Sequence, residues 1–166
     1  MVNRRTFLAA SAAAGATALA GCAGPIRSYD GPAVTQILAV KGNRRLYLLH
    51  YSQTLAAYDF QLGFNPEGHK QFQGDGRTPE GAYVIDRRNP NSSYHLSVGI
   101  SYPNTQDRAF AAAAGRSPGG DIFIHGTPRE YRRSRDWTAG CIAVTDRAIE
   151  RIYSMVEPGT PILLTP

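Results

Sequence analysis

From Val34 onward, apolar residues fall in short runs broken by glycine, proline and asparagine, and only two segments carry a helical period. This spacing narrows the fold more than any other feature. Short apolar runs between turn formers read as strands, whereas a helix repeats its apolar face every three to four residues. Ile37-Leu38-Ala39-Val40 and Leu46-Tyr47-Leu48-Leu49 flank Lys41-Gly42-Asn43 and are expected to form a hairpin. Ala56–Gly63 is expected as a third strand, Ala82–Ile85 and Tyr94–Val98 as the next two, and Pro161–Leu164 as the last. One helix is expected over Thr105–Ala114, with Asn104 as its N-cap, Asp107 in its first turn and Gly115 past its end. A second starts near Asp146, where Ile149, Ile152, Tyr153 and Val156 recur at helical spacing until Pro158-Gly159 stops it. Residues 64–81, FNPEGHKQFQGDGRTPEG, hold no such run and read as a long loop, a feature often tied to function in compact domains. Short strands with two short helices predict a mainly β architecture, a sandwich or open barrel.

The first thirty residues are of another kind. Arg4-Arg5 precede an Ala-rich run, Phe7–Ala20, too short for the ~20 residues of a membrane-spanning helix and suited to the centre of a secretory signal. Asn3–Leu8 resembles the twin-arginine export signal, and Leu19-Ala20-Gly21-Cys22 resembles the lipobox of bacterial lipoproteins, whose cysteine is acylated. Residues 1–21 are therefore expected to be an export signal, 22–33 a tether lipidated at Cys22, and 34–166 the working domain. Such a chain is held at the periplasm-facing membrane surface by its lipid, without spanning the bilayer. An Ala-rich helix, or a signal cleaved elsewhere, fits the same residues. Removing residues 1–21 leaves 145 residues, one domain's length, and takes Arg4 and Arg5 but no acid, so the formal charge falls from +5 to +3. That mild basicity suits a polyanionic wall or acidic peptides. The basic residues lack the aromatic interleaving of a nucleic-acid face, and nucleic acid is not an expected partner.

With Cys22 assigned to the lipid, Cys141 is the remaining cysteine of an exported chain, which points to a reactive role or to intermolecular pairing. His125 precedes it by sixteen residues, in Ile122-Phe123-Ile124-His125-Gly126. Taken as a strand, this segment puts Ile122 and Ile124 on one face, with Phe123 and His125 on the other. The same rule applied to Gly140–Val144 groups Ile142 with Val144, and Cys141 with Ala143. If both apolar faces pack into one core, His125 and Cys141 emerge on the same side. A thiol near its ordinary pKa of about 8.5 is mostly protonated at neutral pH, and an imidazole within reach can take that proton. Acyl transfer also needs donors for a tetrahedral oxyanion. Ala139-Gly140 leads into Cys141 with little bulk, so the Gly140 and Cys141 amides are candidates. The Gly126 carbonyl is the candidate for fixing the histidine tautomer. A buried structural cysteine and a surface histidine fit the same spacing.

Arg129, Arg132, Arg133 and Arg135 crowd the segment between histidine and cysteine. They read as a solvated loop, or as a clamp for substrate carboxylates, which guanidinium binds bidentately. Trp137 reads as packing, and His69 as an exposed or cleft-lining residue of the long loop. His50, His69, His95 and Cys141 have no metal-ligand spacing, and Gly74-Asp75-Gly76 is not a phosphate loop, so no metal or other cofactor is expected.

His125-Gly126, the interval to the cysteine and Gly140-Cys141-Ile142 resemble the signature of the YkuD-type L,D-transpeptidases. Thr78-Pro79-Glu80-Gly81-Ala82-Tyr83 is similar to their Thr-Pro-x-Gly-x-Phe/Tyr segment. The resemblance runs from about Val34 to the C-terminus. It implies a β-sandwich of mixed sheets with two short α-helices. It also implies a cysteine-dependent enzyme of cell-wall biogenesis, with Cys141 as nucleophile and His125 as base. The thiol would attack a peptidoglycan stem peptide at the L-centre of a diamino acid, and an amine or water would resolve the thioester. Two positions depart from the family pattern: Ala139 replaces the second histidine of Ser/Thr-His-Gly-Cys, and Ala143 replaces an arginine found in many members. Asp136–Val144 is more similar to the YafK-type branch, which includes hydrolases that detach wall-linked lipoprotein. Three readings stand: a transpeptidase, an amidase cutting diamino-acid-linked peptide or lipoprotein from peptidoglycan, and a non-catalytic peptidoglycan-binding lipoprotein.

Overall fold

The computed structural model describes residues 28–166; the expected export signal and Cys22 lie outside the described residues. Strands β1 (Gln36–Val40) and β2 (Arg45–His50) form the expected hairpin, with Val40 facing Arg45 across a turn in which Arg44 takes φ 51°. Strand β3 (Gln53–Asp59) starts and stops earlier than the apolar pattern suggested. Beyond Phe60 the chain leaves β2 and makes isolated bridges, Gln61 with Ala143 and Gly63 with Thr138. Strand β4 (Gly81–Asn89) outruns its apolar stretch, because its polar half continues the ladder to β5 (Ser97–Ile100). The fifth strand lies later than expected: His95 at φ 73° breaks the extended chain before it.

Helix α1 (Thr105–Ala113) has the predicted cap, reciprocal in form: the Asn104 side chain accepts from the Gln106 and Asp107 amides, and Asp107 accepts from the Asn104 amide. Then come β6 (Ile122–His125), β7 (Ile142–Ala143), α2 (Asp146–Met155) and β8 (Pro161–Thr165). Helix α2 buries Ala148, Ile149, Ile152, Tyr153 and Met155, the stripe seen in the sequence, and the Thr145 hydroxyl caps its start.

The strands form one mixed sheet in the order β3-β2-β1-β8-β4-β5-β6-β7. The last strand therefore lies in the middle, parallel to β1 and antiparallel to β4. Strand β4 is the corner. Its first half pairs with β8, its second half with β5, and the register shifts between Ile85 and Arg87, which is how a strand passes from one layer to the next. The expected sandwich is thus one sheet folded on itself, with the Gln61 and Gly63 bridges joining the far ends. Ile37, Leu46, Leu48, Phe60, Leu62, Ile85, Ile100, Ile124, Ile142, Ile149, Ile152 and Ile162 fill the space between the layers. Tyr29 and Val34 pack against this core from the side. No helix among the described residues is long and apolar enough to cross a membrane.

Candidate active site

Strands β6 and β7 run parallel, with Ile124 opposite Ile142 and His125 opposite Ala143. Extending that register by one residue sets Cys141 beside Phe123, so the thiol and the imidazole lie on neighbouring strands, offset diagonally. The alternation expected from sequence holds: Ile122, Ile124, Ile142 and Val144 all enter the core. Cys141 is partly exposed. Its Sγ lies 3.4 Å from the Phe123 amide, which donates to it, and 3.5 Å from the Asp121 carbonyl, toward which the thiol points. Asp121 has φ 54°, a left-handed conformation uncommon outside glycine. No hydrogen bond joins Sγ to His125 in this resting arrangement.

The turn ahead of the cysteine is held from several sides. The Thr138 hydroxyl accepts from the Gly140 amide at 3.1 Å and donates to the Cys141 carbonyl at 2.7 Å. Thr138 itself bridges to the loop after β3: its amide donates to Leu62 O, and its carbonyl accepts from the Phe64 amide. Gly140 takes φ 135°, and a Cβ there would come within 2.6 Å of the Arg77 carbonyl, so no other residue fits without displacing the long loop. These contacts sort the two amide candidates. Gly140 N–H is committed to Thr138, whereas Cys141 N–H forms no hydrogen bond among the described residues. Asp136 anchors the start of the same turn. Its carboxylate accepts from Arg44 Nε and Nη2 at 3.1 and 2.7 Å and from the Leu62 amide at 3.0 Å.

His125 is 3% exposed, not the surface histidine its sequence allowed. Nδ1–H donates to the Gly126 carbonyl at 2.7 Å, which leaves the lone pair of the neutral ring on Nε2. Tyr94 stacks on the ring with centroids 4.4 Å apart, and Trp137 meets it edge-on at 5.7 Å. Tyr131 in turn stacks on Trp137. Burial pushes the His125 pKa below its ordinary 6.5, against a smaller opposite pull from the Gly126 carbonyl. Burial likewise pushes the Cys141 thiol up, and the Phe123 amide and Lys70 pull it partly back. Both shifts favour the neutral forms, thiol over thiolate and imidazole over imidazolium.

Two cavities lie toward opposite ends of β6, neither of them lined by Cys141 or His125. One of about 460 Å³ lies against Lys70, Gln73, Ser117, Gly120, Asp121 and Ala139, on the Asp121 side of the sulfur. The other, about 540 Å³, lies past the C-terminal end of β6, against Thr127, Tyr131, Arg132, Val144, Asp146 and Arg147. Of the four loop arginines, Arg132 lines the second cavity and pairs with Asp146 at 3.3 Å. Arg129 and Arg133 are exposed, and Arg135 reaches only Asp136, at 3.8 Å.

The remaining histidines are dispersed and each has its own partner: His50 with Ala33 O, His69 with Asp107 and the Glu80 amide, His95 with Glu150. No group of three His, Cys, Asp or Glu side chains suited to a metal ion occurs among the described residues. The Thr78–Tyr83 segment works beneath the site. Thr78 is fully buried, Glu80 pairs with Lys41 at 2.6 Å, and the Tyr83 hydroxyl donates to Asp107. Sequence reasoning missed Lys70, Tyr94 and the Arg44–Asp136 pair. Each acts through a contact made only in three dimensions.

Comparison with known proteins fits this arrangement. The model of the L,D-transpeptidase catalytic domain matches residues 35–164. YafK of Escherichia coli (strain K12) is 34% identical over 91 residues, which make up 54% of this chain and 32% of that protein. Among solved structures, the helical cell shape determining protein Pgp2 from Campylobacter jejuni superposes with a TM-score of 0.60 at 26% identity, covering 78% of this chain and 46% of the other. An L,D-transpeptidase from Mycobacterium smegmatis, at 14% identity, TM-score 0.55 and coverage of 81% and 59%, shares the fold. The chain spans about half of Pgp2 and about a third of YafK.

Proposed function

This chain belongs to the L,D-transpeptidase catalytic domain family, and from that membership we propose that it is a cysteine acyltransferase of peptidoglycan stem peptides. The observation that carries the reading is the β6–β7 register: carried one residue back, it sets Cys141, partly exposed and with its amide uncommitted, diagonally across from His125, a buried imidazole with its Nε2 lone pair free. His125 Nε2 takes the thiol proton as Sγ attacks the carbonyl at the L-centre of the diamino acid. The Cys141 amide meets the developing oxyanion. The imidazolium then returns its proton to the leaving amine, and a thioester remains on Cys141. An incoming amine resolves it to a cross-link, or water resolves it to a free acid, with the proton again passing through His125. Tyr94 and Trp137 hold the ring in place while it does so.

Hydrolysis is the second reading, favoured by Ala139 and Ala143 where family members carry a histidine and an arginine. Wall remodelling that affects cell shape accords with the similarity to Pgp2, a helical cell shape determining protein. The export signal over 1–21, the lipid on Cys22 and a periplasm-facing location complete the proposal. Mass spectrometry of muropeptides from purified sacculi, after incubation with the detergent-solubilised full chain, tests it. New cross-links support the transferase, loss of diamino-acid-linked peptide or lipoprotein supports the hydrolase, and unchanged muropeptides count against both.

The acid limb of the kcat/KM profile is expected below pH 6.5, because the general base loses activity only on taking a proton and burial disfavours that proton. An acid limb well above 6.5 in a stopped assay of donor consumption would contradict His125 as the base. For the arginine clamp we single out Arg132. Arg132→Ala is expected to raise KM for an anionic donor about 10-fold at low salt with kcat unchanged, an effect screened away near 0.5 M salt. The corresponding Arg133→Ala change is expected to leave KM within about twofold.

A further inference from the structure

Two lysines are buried in this domain, and they are not equivalent. Lys41, 2% exposed, uses all three donors of its ammonium, on the Gly68 and Thr78 carbonyls and on Glu80. It is a structural post beneath the long loop. Lys70, 3% exposed, uses two: the Phe72 carbonyl at 3.0 Å and Asp75 Oδ1 at 2.9 Å. Its further neighbour is the Tyr102 ring, 5.9 Å away. The third donor has no partner among the described residues, and Lys70 lines the cavity that reaches Asp121, whose carbonyl is 3.5 Å from Sγ.

The cavity's other lining is largely small residues and backbone: Gly74, Ser117, Gly119, Gly120 and Ala139. Asp121 also lines it, but its carboxylate is 90% exposed and turned to Arg87 at 3.1 Å. The inward-facing charge is therefore positive. Asp75 offsets it only in part, because that carboxylate also accepts from the Gln71, Phe72 and Arg77 amides. Consistent with an uncancelled field, Lys70 acts to lower the Cys141 thiol pKa. A walled space of this kind, with one spare ammonium donor and few side chains, suits a carboxylate on a short flexible group.

The direction of β6 says which carboxylate. The strand runs from Asp121, at the cavity, past the sulfur level with Phe123, to His125 roughly 7 Å farther on. His125 must reach the leaving amine to protonate it, so the leaving residue departs on the imidazole side. The retained, acyl side of the substrate then faces the cavity. We propose that Lys70 is a specificity-determining residue, its ammonium binding the distal carboxylate of the diamino acid whose carbonyl is attacked. This rests on the acyltransferase reading above.

The test compares three synthetic stem-peptide donors with the full chain in detergent: one with all carboxylates free, one amidated at the distal carboxylate of the diamino acid, and one amidated at the terminal carboxylate of the leaving residue. The wild-type protein is expected to use the distally amidated donor with kcat/KM lowered about 10- to 100-fold, chiefly through KM, and the terminally amidated donor within a few-fold of the free acid. Lys70→Gln is expected to bring the free donor down to the level of the distally amidated one and leave the latter unchanged. Lys70→Arg is expected to restore part of the difference. Equal use of all donors by the wild-type protein, or selectivity keyed to the terminal carboxylate, overturns the proposal without any variant. A Lys70→Gln loss equal on every donor overturns it as well, marking Lys70 as structural. These outcomes leave the acyltransferase reading standing. A wild-type protein that acylates Cys141 with none of the donors ends that reading and this one with it.

Discussion

Cys141→Ala is expected to abolish turnover of a stem-peptide donor, a loss on the order of 10³-fold or more, while the protein stays folded. The fold survives because the turn is held by backbone groups and by Thr138, Gly140 and Asp136, not by the sulfur, whose contacts with Phe123 and Asp121 are long and weak. The chemistry is expected not to survive, since in the proposed mechanism the thiol is the atom that bonds to the substrate. His125→Ala alone is expected to cost about 10²- to 10⁴-fold. The double variant should be no worse than Cys141→Ala, because the two residues act as one unit. Mass spectrometry of the released residue, with thermal denaturation as the control for folding, makes the measurement. Wild-type rates in Cys141→Ala would rule out Cys141 as the nucleophile, whereas no turnover by either protein would favour a wall-binding lipoprotein with an idle thiol.

Asp136→Ala is expected to destabilise the domain by about 3 kcal/mol, among the largest effects of any change outside the core. The Arg44–Asp136 pair is two-pronged, its side chains are 21% and 12% exposed, and it joins the β1–β2 turn to the segment entering Cys141. Removing the carboxylate strands a half-buried guanidinium and the Leu62 amide together. Burial works to raise the Asp136 carboxyl pKa, but Arg44 and the Leu62 amide outweigh it and hold the group below 3.8. The pair's contribution is therefore complete above that value and is lost as pH falls through the lowered one. The exposed pair Arg45–Asp59, at 38% and 83%, gives the comparison: Asp59→Ala should leave stability nearly unchanged, because solvent screens the pair. Urea denaturation of both variants decides it. Similar losses from the two would mean that the anchor is no stronger than a surface pair.

What the sequence made legible follows from which interactions are local. The β1–β2 hairpin, the Asn104 cap and the α2 stripe depend on residues a few positions apart, and all three were readable. So was the period-two alternation that sends Ile122, Ile124, Ile142 and Val144 into the core, because each half needs only its own strand. The exact span of β5 was not readable, since it turns on a left-handed His95 and on pairing with β4. The burial of His125 was hidden too: Tyr94 and Trp137 come from segments on either side of it and meet only when the loops close. Lys70 and Asp75 were visible as charges in a glycine-rich loop. Nothing in their spacing separated Lys70, with its spare donor, from Lys41, which has none.

Strand β8, the final one, enters between β1 and β4. Until it does, the N-terminal meander and the C-terminal strands share no ladder, and the meeting of Gly63 with Thr138 has no frame to bring it about. The Gly63–Thr138 bridge, which supports the turn ahead of the thiol, thus joins two parts of the chain that β8 ties into one sheet. A chain lacking β8 is therefore expected to lose the join that steadies the turn ahead of Cys141, even where β6 and β7 still pair.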